Sequence, residues 1–474
     1  MTTISSTGIG SGLDVNSIIT QLMAIESQPL TALQKKATTI QSTVSEYGKI
    51  KSAVSTLNDL AAKLASTTTW GQTTVTSSNP AAVTAATSGS AAGSYSVQVQ
   101  SLASVQTLAS GVFASTTSTP GAGTLNIELG TWGTGQTSFT PKSGATSINV
   151  AITATDTLAD MRDKINAAGA GVTALIMTDA SGSRLLMRSS ATGADNAFRS
   201  TVTDADGNNT DAIGLSQFAF GTSTKNLSLN QTAANAAATI NGLAVSSSTN
   251  TLANIVDGLS LTLSAVTTSA VSIDVVPDSA TLTKTLTDFA AAYTAVVKLI
   301  ATDTKYDAAS KKGGVLQGDN AAVALQRQLR TLAGSSSGAS SVFGHLSDIG
   351  LQLQSDGSMS VNATKLTSAL ANLPELKKAF SNLGGTDTTL NGFGKQFRDM
   401  TSAMLGIEGS LTTRSDGLSK QLSRNQADQD SMNIRLAGIE KRMRAQYTAL
   451  DTAMAQLNSS SGYMSQQIAA WAKA

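Results

Sequence analysis

Leu411, Ser415, Leu418, Leu422, Asn425, Gln429, Met432, Leu436, Ile439, Met443, Gln446, Leu450, Ala453 and Leu457 follow one another at alternating steps of four and three residues. Ten of the fourteen are apolar and none is charged, whereas Arg424, Asp428, Asp430, Arg435, Glu440, Lys441, Arg442 and Arg444 all fall off this line. An apolar repeat of 3.5 residues on a helix of 3.6 residues per turn is the heptad pattern of a coiled coil. At 1.5 Å per residue the stripe is about 70 Å long. A helix on its own gains little stability in water, so the stripe must be covered. A long hairpin within one chain would cover it, and so would a bundle formed with other copies. Asn425, Gln429 and Gln446 cost stability inside such a seam but can fix register and partner number.

The N-terminal end offers a partner. Gly8-Ile9-Gly10-Ser11-Gly12 reads as a flexible lead-in, and Asp14 as the cap of a helix carrying Val15, Ile18, Ile19, Leu22 and Met23. Pro29 interrupts or restarts that helix. Beyond it Leu30, Leu33, Ala37, Ile40, Val44 and Tyr47 recur at steps of three and four, drifting on to Ile50, Val54, Leu57, Ala61 and Leu64. This predicts a helix of roughly 35 residues with one apolar face.

Between roughly residues 71 and 277 the period changes to two. Ser94–Gln100, Leu259–Leu263 and Val271–Val275 alternate cleanly, and Thr124–Leu129 and Ser147–Ile152 are further strands. Asp156 or Thr157 would cap a short helix over Leu158–Ile165 that stops at Gly169 or Gly171. Leu175-Ile176 and Leu185–Met187 flank a turn at Asp179–Gly182 and read as a hairpin. Pro80, Pro120 and Pro277 are the boundary markers. Helix returns from about Ala280 to Arg330. A small hairpin across Asp356-Gly357 follows, then a helix with Leu366, Leu370 and Leu373 that Asn362 or Thr364 would cap. The whole is an α+β multidomain chain: helical ends around one or two β-rich domains.

Composition removes most chemistry. The chain has 474 residues, 32 Lys plus Arg against 31 Asp plus Glu, and a net charge of +1, so nothing draws it to nucleic acid or to an acidic lipid surface. Only 13% of residues are charged and 4% aromatic, with Ser and Thr roughly a quarter of the total. Cysteine is absent and His345 is the single histidine, which excludes disulfides, thiolate nucleophiles and two-histidine metal sites. The first basic residue is Lys35, no stretch approaches ~18 uninterrupted apolar residues, and no secretory signal or membrane span is expected. A chain of this kind that leaves the cell needs another machine to export it.

The remaining candidates are weak. Asp204–Asp211 supplies oxygens of the kind calcium prefers but lacks the terminal bidentate glutamate of an EF-hand, and it also reads as an exposed turn. Gly130–Gly135 lacks the lysine and helix of a phosphate loop. Glutamate occurs six times, never beside an aspartate in a close pair, and His345 has no nucleophile elbow to serve. Lys441–Arg444 reads as a solvated helix face without interleaved aromatics. These residues assemble no catalytic, cofactor or metal site.

Ile9-Gly10-Ser11-Gly12-Leu13-Asp14-Val15-Asn16-Ser17-Ile18 resembles the N-terminal signature of the flagellar filament-capping proteins, the hook-associated protein 2 family. Gly93–Val99 with Leu102-Ala103 is similar to the strand that opens their β-domain. Thr239-Ile240-Asn241-Gly242, Asn250–Leu252 and Gly258–Leu263 resemble their flagellin-type motif, and a looser copy runs from Ile148 through Ile165-Asn166 to Val172. Gly318-Asp319, Ile349–Leu351, Asp356-Gly357 and the heptads complete the pattern, so the resemblance touches nearly the whole chain.

The resemblance implies a non-enzymatic, homo-oligomeric cap at the distal filament tip, commonly of five copies, that retains exported flagellin while it folds and inserts. It implies export through the flagellar type III apparatus, a chaperone on the C-terminal helix, and flagellin and the hook–filament junction protein as partners. Secondary adhesion is compatible with it. On this pattern residues 1–42 and 406–474 form a terminal coiled coil, and 43–75 with 278–405 a helical leg. Residues 76–105 with 228–277 form one head domain of flagellin-like type, and 106–227 a second inserted one. Leu33, Ile40, Val44, Tyr47, Leu411, Leu418, Leu422, Met432, Leu436, Ile439, Met443, Leu450 and Leu457 are the expected coiled-coil and oligomerisation residues. The rival of another class is a secreted adhesin or a cell-wall hydrolase on a coiled-coil stalk.

Overall fold

The computed structural model describes residues 14–89, 92–309 and 311–472. The Gly8–Gly12 lead-in and the Ile9–Leu13 part of the N-terminal signature lie outside the described residues. The helices are α1 (Val15–Glu26), α2 (Gln28–Ala65), α3 (Leu158–Ala168), α4 (Ser279–Thr304), α5 (Asn320–Ala333), α6 (Leu346–Ile349), α7 (Ala363–Leu370), α8 (Leu373–Ser381), α9 (Phe393–Leu405) and α10 (Ser410–Trp471). They belong, α3 excepted, to one compact unit built from the described residues up to Trp70 and from Ser279 onward; Gly71–Asp278 forms the other.

In the helical unit, Asp14 caps α1 by accepting a hydrogen bond from the Ser17 N–H at 3.0 Å. Pro29 sits in the first turn of α2, where its missing N–H costs nothing, so the chain restarts as a helix. The α2 stripe is buried from Tyr47 through Ile50, Val54, Leu57, Ala61 and Leu64. Opposite it lie Leu282, Leu286, Phe289, Tyr293, Val296 and Ile300 of α4 and Phe393 and Phe397 of α9. Trp70 stacks on Phe380 with ring centres 5.5 Å apart, and Phe289 meets Phe397 edge-on at 5.1 Å.

The helical stretch expected from about Ala280 to Arg330 consists of two helices. α4 ends at Thr304, and a two-residue ladder, β17 (Tyr306–Asp307) with β18 (Lys312–Gly313), precedes α5. The expected hairpin across Asp356-Gly357 is present as Leu351–Leu353 against Met359–Val361 (β19 and β20). Asn362 caps α7 by accepting from the Lys365 N–H at 3.0 Å. The helix expected to carry Leu366, Leu370 and Leu373 is two helices, because Pro374 falls in the first turn of α8.

The second unit has sixteen strands among its described residues. These are β1 (Thr73–Ser77), β2 (Val83–Thr87), β3 (Gly93–Ser101), β4 (Thr107–Ala109), β5 (Gly123–Trp132), β6 (Phe139–Pro141), β7 (Ile148–Ile152) and β8 (Val172–Asp179). They continue with β9 (Gly182–Ser189), β10 (Ala197–Asp204), β11 (Ser228–Gln231), β12 (Ala236–Ile240), β13 (Leu243–Ser247), β14 (Thr251–Val256), β15 (Leu259–Leu263) and β16 (Val271–Pro277). The antiparallel order β1-β16-β3-β12-β13 makes one sheet and β14-β15-β2 another. Their inward residues Val83, Val97, Val99, Leu259, Leu261, Ile273 and Val275 share a core, as period-two patterning dictates. Asn241 and Gly242, both in the left-handed region (φ 48° and 81°), form the two-residue turn between β12 and β13.

A separate core gathers Leu108, Leu125, Ile127, Met161, Ile165, Leu185, Met187, Phe198 and Phe218 under α3 and two further sheets, β11-β4-β9-β8 and β10-β5 with β6 and β7 on β5. Thr157 and Asp160 form the capping box of α3, and Gly169 (φ 65°) ends it. The Asp179–Gly182 turn joins β8 and β9 as expected. Residues 71–75, expected with the leg, belong to this unit, because β1 pairs with β16 from Thr73↔Pro277 onward.

Candidate assembly surfaces

The heptad seam is divided by the fold. Leu411 and Leu418 join the main helical core, Leu422 packs against it, and Leu436 is buried. Met432, Ile439 and Met443 are half-buried. What covers them is the chain itself: α10 packs on α2 and α1. The Arg414 guanidinium lies over the Tyr47 ring at 5.9 Å, and Arg444 donates to Asn16 at 3.3 Å. Numbers fall along one rod as they rise along the other, so the pair is antiparallel. On the partner side Ile40 and Tyr47 are buried and Leu33 and Val44 half-buried. Leu436 and Ile439, expected to serve self-association, are buried and half-buried within the single chain.

The outer part of α10 is different. Leu450, Leu457, Tyr463, Met464, Ile468 and Trp471 are all exposed. Leu450, Leu457, Met464 and Trp471 keep the seam's seven-residue step, and Tyr447, Met454, Ser461 and Ile468, one residue on from the seam positions Gln446 and Ala453 and their continuation, alternate with them. Tyr447 and Met454 are half-buried and the rest exposed, so most of an apolar stripe of about 36 Å faces solvent, which is long for a solitary helix. Beyond Leu457, the sequence signal for this stripe is the seven-residue step through Met464 to Trp471.

Two polar seam positions are satisfied internally. Gln429 donates its amide to Asn425 Oδ1 at 2.6 Å, and both are buried. Replacing both with leucine is expected to raise stability by about 1–2 kcal/mol, since a buried polar pair rarely outweighs well-packed apolar groups. Thermal unfolding checks this, and a lowered Tm would show that the pair is net stabilising.

Beside the seam sits a buried polar junction that patterning did not reveal. Asp319 caps α5, accepting from the Ala321 and Ala322 N–H groups at 2.9 and 3.3 Å. The same carboxylate accepts from the Tyr47 hydroxyl at 2.8 Å and from Arg414 Nη2 at 2.7 Å. Burial pushes the Asp319 carboxyl up, but hydrogen bonds from Arg414, Tyr47 and Ala322 outweigh it and hold the group below its ordinary range. Burial, then the bond to Asp319, pushes the Tyr47 hydroxyl above its own. One side chain therefore ties α2, α5 and α10 together. The Gly318-Asp319 dipeptide ahead of an Ala-rich helical run was its available signal.

The other candidates are structural. Asp204 accepts from the Ser216 N–H and hydroxyl, both at 2.8 Å, while Asp206, Asn208 and Asp211 accept from backbone N–H groups two residues on. The loop's oxygens are spent on its own turns. Gly130–Gly135 carries the end of β5 into the turn before β6, where Trp132 donates to Gln106 at 3.2 Å and packs edge-on against Phe220. His345 precedes α6, exposed, with Asp348 accepting from its backbone N–H at 2.8 Å. Within Lys441–Arg444, Arg444 pairs with Glu440 at 2.8 Å on the solvent face. Among the described residues no helix is long and apolar enough to cross a membrane, and no group of three or more His, Cys, Asp or Glu could hold a metal ion.

Comparison with known proteins agrees with this architecture. The chain is 30% identical over 482 residues to flagellar hook-associated protein 2 of Escherichia coli K12, covering 98% of both chains. It belongs to the flagellar hook-associated protein 2 family. The family's N-terminus model matches residues 11–106 and its C-terminus model residues 233–459. The A-type flagellar hook-associated protein 2 of Pseudomonas aeruginosa is 28% identical, with 97% of this chain and 96% of that one covered. The crystal structure of the flagellar cap protein FliD D1-D2-D3 domains from E. coli superposes with a TM-score of 0.59 at 28% identity, over 79% of this chain and 99% of that one. The flagellin hook IN motif matches residues 134–191, the stretch of the looser Ile148–Val172 resemblance. Thr239–Leu263, read as the stronger copy, falls instead within the C-terminus model.

Proposed function

We propose that this chain is a structural cap at the distal end of the bacterial flagellar filament, where it retains exported flagellin and promotes its folding and polymerisation. Family membership over 98% of the chain carries the reading, and the division of the seam supports the way it would work. The inner seam closes on α1 and α2, so that part of α10 is covered within each copy. The outer stripe, Tyr447 to Trp471, is left to join copies into a ring, commonly of five in this family, and offers a type III export chaperone a helix to hold beforehand. Binding energy comes from apolar area, at about 25 cal/mol per Å², rather than from a pocket that turns over substrate. The sheet unit supplies the head of the cap, and flagellin and the hook–filament junction protein are the neighbours at the tip.

Deleting the gene tests this. The expected result is cells without filaments and unpolymerised flagellin in the medium, reversed by restoring the chain. Intact filaments in the deletion strain would overturn the reading.

A further inference from the structure

A groove of about 1000 Å³ runs between α5 and α9 in the helical unit. Leu332, Met400 and Met404 give it an apolar floor, Ala403 opens one wall, and Arg327 and Glu408 stand at its rim. Neither of these two charges is in an ion pair within the described residues. Immediately beside the groove Ile407 is 93% exposed. Its exposure is built in. The Gly406 N–H donates to the Ser402 carbonyl and the Gly409 N–H to the Gly406 carbonyl, each at 2.9 Å. A Cβ on Gly409 would stand 2.3 Å from the Met404 carbonyl oxygen, so the turn needs glycine there. A tight turn thus presents a branched apolar side chain to water next to a groove with an apolar floor and polar walls.

We propose that the α5–α9 groove receives the Gly406–Gly409 turn of a second copy of this chain, with Ile407 as the knob. The inference rests on the self-association proposed above. Charge complementarity selects the occupant: entry of the turn brings Glu408 of one copy toward Arg327 of the other, two rim charges that lack ion pairs in the single chain. The chain's own outer stripe cannot serve, because α10 leaves the groove at Ser410 as one helix and Tyr447 lies about 55 Å along it. Methionines on the floor suit a groove that must adapt to an incoming side chain.

The chain has no cysteine, so engineered thiols report on this contact alone. Full-length Ile407→Cys and differently tagged full-length Ala403→Cys are mixed, oxidised and separated, so that a bond between the two tags is between copies. The expected result is a mixed-tag cross-link, lost when excess Ile407→Asp competes. Ile407→Asp itself is expected to weaken self-association at least tenfold by sedimentation; at that exposure it leaves the fold unchanged. An oligomer without the 407–403 cross-link, or one in which position 407 links only to the outer stripe of α10, would overturn the proposal and leave self-association standing. A chain that stays monomeric at every concentration would overturn both.

Discussion

Asp319→Ala is expected to destabilise the helical unit by about 3 kcal/mol. The loss combines an N-cap, worth about 1 kcal/mol, with hydrogen bonds from a charged guanidinium and a buried hydroxyl, worth about 1.5–3 kcal/mol. Arg414 is more than a third exposed, so its share is discounted for solvent screening. The Asp319 side chain is only 8% exposed, which keeps the tie to Tyr47 strong. For a unit of this size the change corresponds to a fall in Tm of roughly 6–12 °C. Asp319→Asn keeps the cap and an acceptor for Tyr47 and loses the charge, so it is expected to cost about 1 kcal/mol.

The pH dependence has a definite sign. Because the folded carboxyl is held below its ordinary value, its contribution is present in full above the unfolded value near pH 4 and is lost as pH falls through the folded one. The gap in Tm between the native chain and Asp319→Asn is therefore expected to be full at pH 7 and to close below about pH 4. A constant gap down to pH 2 would mean that the charge on Asp319 contributes nothing.

Leu450→Asp combined with Leu457→Asp is expected to leave the folded unit intact and to abolish capping. Both side chains are exposed in the single chain, so the substitutions cost the monomer little. Between copies each leucine would bury about 1.5–3 kcal/mol of apolar surface, and a carboxylate in its place adds desolvation. Together these exceed 3 kcal/mol, a loss of more than a hundredfold in affinity. Cells carrying the double variant are expected to shed most of their flagellin unpolymerised. Leu418→Asp, by contrast, strikes the chain's own core and is expected to lower Tm; normal filaments in the Leu450/Leu457 variant would show that the outer stripe is not needed.

Local signals were legible and non-local ones were not. Heptad spacing, the Pro29 restart, the Thr157 cap and the Asp179–Gly182 turn are each decided by residues within a few positions, and the helices and hairpins stand where these signals lie. Which half of the seam closes on itself is set by contacts such as Arg444 with Asn16, 428 residues apart, and no periodicity carries that information. Asp319 is visible as a cap, but Tyr47 and Arg414 reach it from 272 and 95 residues away. The groove exists only because α5 and α9 come together across a segment that folds as three short helices and a hairpin. Pro374 broke a run that apolar spacing alone would have joined.

The division of the seam meets its most direct test in sedimentation of the full chain beside a chain ending at Arg444, each over a range of concentrations. The expected result is an oligomer for the first and a stably folded species with at least hundredfold weaker association for the second. Equal assembly by the two chains would contradict the division, because it would show that the stripe from Tyr447 to Trp471 carries none of the contacts between copies.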